Sequence, residues 1–279
     1  MAINTTPNSP RALSPDVTYI AAADTIPDAL VYQAATVAGA IEGDAPSIRV
    51  PFVKDAGTVG FVAEGDLIPD SGPDLDEILV QTGKVAAFAS ISNEMRNNGS
   101  ATSSLLSNGL AIAVQKKADA AFLSNAAANP GPTGLLQLTG ISDGGMLDAD
   151  LDVFTDAIAT IETQGGRASQ FIMHPATWAA IAKLKVTTGS AQTVVNLSSP
   201  EGAPIRSLGG VPVIVTPQAP TTAILGVDRT TIIAAASRLA LAISDQPLFQ
   251  SDSTAIRVTW RTGWNVLDPK RIVKITVTP

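Results

Sequence analysis

Cysteine is absent from this chain of 279 residues, histidine occurs once, at His174, and aromatic residues make up 4%. The first absence removes disulfides, a thiolate nucleophile and Cys-ligated metal, and fits a reducing cytosol. The second removes His-pair metal motifs. Charged residues are sparse too, at 15%, and they are unbalanced, with 18 Lys and Arg against 25 Asp and Glu for a net charge of −7. That deficit of cations takes away the electrostatic footprint on which non-specific nucleic-acid binding depends. No apolar run reaches the roughly 18 residues needed to span a bilayer. Met1–Tyr19 is polar and Pro-punctuated, unlike a signal or transit peptide. The expectation is a soluble chain, made in the cytoplasm, with no membrane partner.

Apolar residues, by contrast, make up 45%, enough for a large core in one domain or two, while 22 Gly and 19 Pro imply many short elements. Residues 1–27 carry Pro7, Pro10, Pro15 and Pro27 among small polar residues and read as an extended arm. Leu30, Val31, Ala34, Val37 and Ala38 predict one short helix over 28–40, and a strand begins at Arg49–Val53. Between Asp55 and Gly83 stand seven acids (Asp55, Glu64, Asp66, Asp70, Asp74, Asp76 and Glu77) and no base, so this stretch accounts for the whole net charge. Thr58–Ala63 and Ile78–Thr82 predict a hairpin turning at Pro69–Pro73. Two strands alone are marginal in water, so the hairpin must rest on something else.

The longest helical signal runs from Ser100 to Ala128, with Leu105, Leu106, Leu110, Ala113, Val114, Ala121 and Phe122 at spacings of three and four. Further helices are predicted over 152–164 and from Pro175 to Lys185, with a buried strand at Gln170–Met173 between them. Beyond residue 190 strands dominate: 211–216, 223–225, 231–235, 239–244, 255–262 and 272–277. The fold class is therefore α+β, with no internal repeat.

Catalytic signatures are missing. There is no Gly-x-Ser-x-Gly elbow, no Gly-Lys-Ser/Thr phosphate loop and no Gly-x-Gly-x-x-Gly. A Ser hydrolase would have to use His174, which precedes Pro175 at a strand-to-helix junction and reads as a turn or packing residue. Asp148, Asp150 and Asp152 lack the Gly and terminal Glu of a calcium loop and read as acids before a helix start. Trp178, Trp260 and Trp264 read as core. No cofactor or metal is expected. Lys116 and Lys117 are either a solvated face or an intersubunit contact.

The order of pieces carries more than any one residue. Ile48-Arg49-Val50-Pro51, Val59–Gly65 with Ile68-Pro69, Lys84–Ala87, Ser90–Glu94, Gly134-Leu135-Leu136, Phe171–Thr177, Leu208–Val213 and Arg257 to Asp268-Pro269 follow one another as in the major capsid proteins of tailed bacteriophages, which the chain resembles over residues 16–279. The resemblance implies the tailed-phage major capsid fold: an amino-terminal arm region (1–47), an extended β-hairpin loop with flanking strands (48–92), a peripheral domain with a long spine helix (93–139 and 246–279) and an axial domain (140–245). It implies a structural protein, not an enzyme, that assembles with itself through pentamers and hexamers into an icosahedral virion shell around double-stranded DNA, inside the host cytoplasm. The expected subunit-interface residues are Glu64, Asp66, Asp70, Asp74, Asp76 and Glu77 on the hairpin, with Lys116, Lys117, Arg49 and Arg96 as their partners on a neighbouring copy. The family-like pattern starts soon after Met1, so any scaffolding protein is expected to be separate; portal and decoration proteins are further expected partners. Residues 55–83 hold no Lys, which argues against a covalently cross-linked shell. An encapsulin-like compartment shell is the alternative within the same architecture.

Overall fold

The computed structural model describes residues 17–20, 22–41, 45–55, 57, 59–68, 72, 74–94, 100–147, 151–184 and 206–278. Its first sheet is organised by β12 (Ser253–Val266), in which Thr254, Ile256, Val258, Trp260, Thr262, Trp264 and Val266 are all buried. A period of two puts them on one face, toward the core. One edge of β12 pairs with β4 (Asp74–Ser92), from Ser253↔Ser92 to Gly263↔Thr82. The other edge pairs with β11 (Leu239–Ser244) and then β10 (Ile232–Ala236), which follow one another around a break at Ser237–Arg238. β1 (Val17–Ile20) adds to β11, β2 (Thr36–Ala40) adds parallel to β10, and β3 (Ser47–Asp55) pairs with the first half of β4, completing seven strands.

Across this sheet lies the long helix α3 (Ser100–Ser124), which presents buried Ala111, Val114, Ala118 and Phe122 at spacings of three and four. Phe122 meets Trp264 edge-to-face at 5.1 Å. The polar ends of both core tryptophans are satisfied, Trp264 Nε1 donating to the Thr133 carbonyl (2.8 Å) and Trp260 Nε1 to the Ser237 carbonyl (3.1 Å). Trp178, by contrast, is only half-buried, with Arg206 over its ring at 5.8 Å. The short helices α1 (Ala22–Thr25) and α2 (Leu30–Ala34) complete this core, with Ala22 and Ile26 at 3% and 2% exposure. The expected arm is therefore sheet at Val17–Ile20 and core at Ala22 and Ile26; residues 1–16 lie outside the described set. The expected 28–40 helix also stops early. Ala35 is extended, and Thr36–Ala40, with β-branched Thr36 and Val37, forms β2 instead because parallel pairing with β10 outweighs the helical spacing.

The second sheet has six strands, in the order β5 (Ser142–Leu147), β13 (Ile272–Val277), β9 (Ala223–Val227), β6 (Gln170–Met173), β8 (Val211–Val215), β7 (Ser207–Leu208). β6 and β9 are buried throughout, as befits central strands. The helix α4 (Asp152–Thr163) packs Phe154, Ala157 and Ile161 on this sheet, Phe154 meeting Phe171 edge-to-face at 5.2 Å. The helix α5 (Pro175–Ala182) starts on its first-turn proline. Strand pairing crosses the boundary expected at 245/246. β10 and β11 join β12 in the first sheet, and β13 joins the second.

The chain passes between the sheets three times, first through 125–141 and then, side by side, at Asp228–Thr231 and Leu267–Arg271. The last two passes are bonded together: Leu267 N to the Thr231 carbonyl (2.9 Å), Asp228 N to the Arg271 carbonyl (3.3 Å) and Asp268 N to Thr231 Oγ1 (2.9 Å). Asp228, 1% exposed, accepts from Thr230 N and Arg167 N and lies 3.8 Å from Arg271 Nη1.

Two features of the first core are testable. Gly263 sits where β12 leaves β4, and a Cβ there would overlap the Gln81 carbonyl and come within 2.9 Å of Thr82 Cα. Backbone cannot yield as a side-chain tip does, so Gly263→Ala is expected to destabilise the unassembled chain by about 1–3 kcal/mol, read from denaturant unfolding. Asp119, buried on α3, accepts from Leu30 N (2.8 Å) at the start of α2. Burial pushes its carboxyl up from 3.8 to about 6, against the Leu30 and Gln115 hydrogen bonds that favour the anion, while Asp28 adds repulsion. The folded chain then holds this proton when the unfolded chain has lost it, so Asp119 makes stability fall as pH rises from about 4 to about 6 and level off above. Asp119→Asn keeps an acceptor and removes the ionisation. Its stability relative to the parent should rise across that window by at most about 3 kcal/mol, and a pH-independent difference would refute the linkage.

Candidate assembly surface

The β3–β4 hairpin has two unlike faces. On one, the rows Ile48↔Val80 and Val50↔Ile78 pack with Ile41, Ile233 and Ala235 in a small core of their own. This is the support that a two-stranded element requires. On the other face the rows Arg49↔Leu79, Pro51↔Glu77 and Val53↔Leu75 are solvent-exposed. Leu79 is 41% exposed, Val53 58% and Leu75 72%.

Between Asp55 and Asp74 the described residues form no strand. The expected strand Thr58–Ala63 is irregular over its described residues, and a tight turn closes where Asp66 N donates to the Ala63 carbonyl (3.1 Å), with Gly65 at φ 89°. The paired strands are instead Ser47–Asp55 and Asp74–Ser92, because a run with strand composition needs a partner in register and this one has none among the described residues. The outcome is an exposed apolar tip: Val59, Phe61, Leu67 and Ile68 are each at least 79% exposed. Of the 13 large hydrophobic residues exposed among the described residues, nine lie between Val53 and Phe88, far more than scattered surface apolar residues would place there.

The acidic residues divide. Glu64 and Asp66 are exposed in the tip turn and Asp74 at the start of β4. Asp76 and Glu77 have local bases: Arg49 Nη1 meets Glu77 Oε1 at 2.7 Å and Lys54 Nζ lies 3.9 Å from Asp76. Arg49, expected to serve a neighbouring copy, is thus engaged within its own hairpin, and Lys54, one residue before the acidic stretch, was missed because only the strand register brings it across from Asp76. Asp70 and Arg96 lie outside the described residues, and Asp55 stands in register with Asp74. Lys116 and Lys117 are exposed on α3, away from the hairpin. Lys116 borders a cleft of about 530 Å³ shared with Asp28, Asp119 and Thr216–Gln218. The apolar tip also escaped the sequence reading; its available signal was the pairing of Val59 and Phe61 with Leu67 and Ile68 around Gly60 and Gly65, too apolar for a loop that nothing covers.

Among the described residues no catalytic cluster gathers. His174 Nδ1 accepts from Ala176 N (3.0 Å) and caps α5, the structural role its position suggested. Asp152 stands in the first turn of α4, while Asp148 and Asp150 lie outside the described residues. Among the described residues no group of His, Asp and Glu has the arrangement of a metal site, and no helix is long and apolar enough to cross a membrane.

Known structures share this fold. The capsid of an empty GTA particle superposes with a TM-score of 0.70 at 19% identity over 100% of both chains. A chain from Gordonia phage Cozz gives 0.70 at 18% identity, covering 90% of this chain and 87% of that one. A chain from Mycobacterium phage Bobi gives 0.67 at 13% identity over 100% of both. The search of curated proteins finds no match. Residues 28–277 match the Phage capsid family, and with that coverage the chain belongs to the phage capsid family, whose members are structural and not enzymes.

Proposed function

We propose that this chain is the repeating subunit of an icosahedral shell that encloses double-stranded DNA, formed through pentamers and hexamers, with each hairpin reaching onto a neighbouring copy. The observation that carries the reading is the exposed tip: Phe61, Leu67 and Ile68 extend from a hairpin whose base is held by its own small core. Apolar side chains on a braced projection gain free energy only by burial elsewhere. Contact between unlike patches closes into rings where the rotation allows it, and many weak contacts per copy suffice once part of a shell exists. The seven-stranded sheet with α3 serves as the peripheral domain and the six-stranded sheet with α4 and α5 as the axial domain, while the hairpin is the extended loop and the amino-terminal segment the arm. A separate scaffolding protein, portal and decoration proteins are the partners such a shell uses, and DNA is enclosed without sequence-specific binding.

Two measurements test this. In negative-stain electron microscopy and sedimentation the parent chain is expected to form shells, tubes or capsomers, alone or with a scaffolding protein. Phe61→Ser, Leu67→Ser and Ile68→Ser together should abolish them while shifting the unfolding free energy of the unassembled chain by no more than about 0.5 kcal/mol per site. Normal shells from the triple variant, or a parent chain that stays monomeric throughout, would overturn the reading. Particles boiled in detergent should release a single band near 28.6 kDa, since cysteine is absent and no Lys lies between Asp55 and Gly83. A ladder carrying isopeptide bonds, with Lys54 the first residue to inspect, would show a covalent shell.

A further inference from the structure

The cleft of about 530 Å³ that Lys116 borders has one fixed wall and one loose wall. The fixed wall is α3 with the start of α2. Five residues are too few to hold a helix alone, and the open ends of α2 are closed from outside. Asp119 of α3 accepts from Leu30 N (2.8 Å), Gln170 Nε2 donates to the Gln33 carbonyl (3.1 Å), and Arg229 donates to the carbonyls of Ala35 (3.1 Å) and Tyr32 (3.2 Å). The loose wall is the turn Thr216–Gln218 that follows β8. Its hydrogen bonds run within the turn and to β6: Ala219 N to the Thr216 carbonyl (3.2 Å), Gln218 N to Thr216 Oγ1 (3.3 Å) and Thr216 N to the Met173 carbonyl (3.0 Å). Among the described residues no hydrogen bond or ion pair crosses from the turn to α3 or α2. The width of the cleft is therefore set by the hydration of what it encloses.

What it encloses is a carboxyl group, since Asp119 lines the cleft at 6% exposure. Few charges face it. Asp28, ahead of α2, repels its anion, and Lys116 stands exposed at the rim. The strands beneath α3 present Val85 and Ala87 of β4 and Val258 and Trp260 of β12, while residues 213–218 hold no ionisable side chain. Tyr32 of α2 lies against Trp260 at 6.1 Å, with its hydroxyl held neutral by burial. We infer that this cleft is a proton-operated joint: with Asp119 protonated, Thr216–Gln218 close toward α3, and with Asp119 ionised they stand off and admit water to the carboxylate. Burial disfavours the anion in the closed form and hydration relieves it in the open form, so proton binding favours closure. The carboxyl titrates at about 6, which puts the closed form below that pH and the open form above it. The joint lies within one chain, so the inference goes beyond the shell reading and does not depend on it.

Spin labels read the joint. Because the chain has no cysteine, Ile112→Cys with Pro217→Cys places one nitroxide on each wall, at two exposed positions of the cleft. Pulsed dipolar electron spin resonance, on labelled chain diluted into unlabelled parent, should show the distance lengthening by about 3 Å, one water diameter, between about pH 5 and about pH 7.5, with its midpoint near 6. With Asp119→Asn added, the distance should keep its short value throughout. Asp28→Asn removes the repulsion and should carry the midpoint to lower pH without abolishing the change, a shift that a merely structural Asp119 would not give. The Asp28→Asn midpoint decides if Asp119→Asn fails to fold, as judged by circular dichroism. A distance that does not change across this range, the same lengthening with Asp119→Asn, or an unmoved midpoint with Asp28→Asn overturns the joint and leaves the shell reading as it stands.

Discussion

β4 is the member on which the rest of the molecule depends. Nineteen residues long, it is bonded over its second half to β12 at the centre of the large sheet and over its first half to β3 alone. A strand resists bending where it is paired, so the hairpin is a cantilever rooted where β4 pairs with the largely buried β12. The brace at its base, Ile78 and Val80 against Ile41, Ile233 and Ala235, ends about where the exposed apolar residues begin. Order is thus carried outward into a region that buries almost nothing of its own. This is the arrangement expected when the missing burial comes from another molecule.

Charge follows the same geometry. The excess of seven negative charges between Asp55 and Gly83 suggests a uniformly repulsive hairpin when read in one dimension. In three dimensions Arg49 and Lys54 answer Glu77 and Asp76 from the facing strand, leaving Glu64, Asp66 and Asp74 toward the tip. Both ion pairs are largely exposed and add little to stability. What they do is concentrate the uncompensated charge at the tip, beside the apolar side chains.

Elements whose signal is local were legible in the sequence. Gln170–Met173, Leu239–Ser244 and Ile272–Val277 stand where their apolar runs and bounding turns placed them, and α3 follows its three-and-four spacing. What failed was decided by distant partners. Thr36–Ala40 is a strand because residues 233–236 lie beside it, and 59–63 is not one because no strand lies beside it among the described residues. The membership of β10, β11 and β13 in their sheets likewise depends on pairings across the chain, which periodicity does not encode. For the site, the acidic residues were visible, but the engagement of Arg49 and Lys54 follows only from register.

The paired crossing at Asp228–Thr231 and Leu267–Arg271 has a mechanical meaning. A single connecting strand is a swivel, about which two bodies rotate freely. Two antiparallel passes tied by Leu267 N to the Thr231 carbonyl and Asp228 N to the Arg271 carbonyl, beside a core in which Ile172, Leu225, Val227 and Ile272 of the second sheet pack with Val258 and Trp260 of the first, form a strap that resists twist between the sheets. The buried Asp228 carboxylate beside Arg271 acts as the pin. Strapped in this way, the two sheets keep a fixed handedness relative to each other.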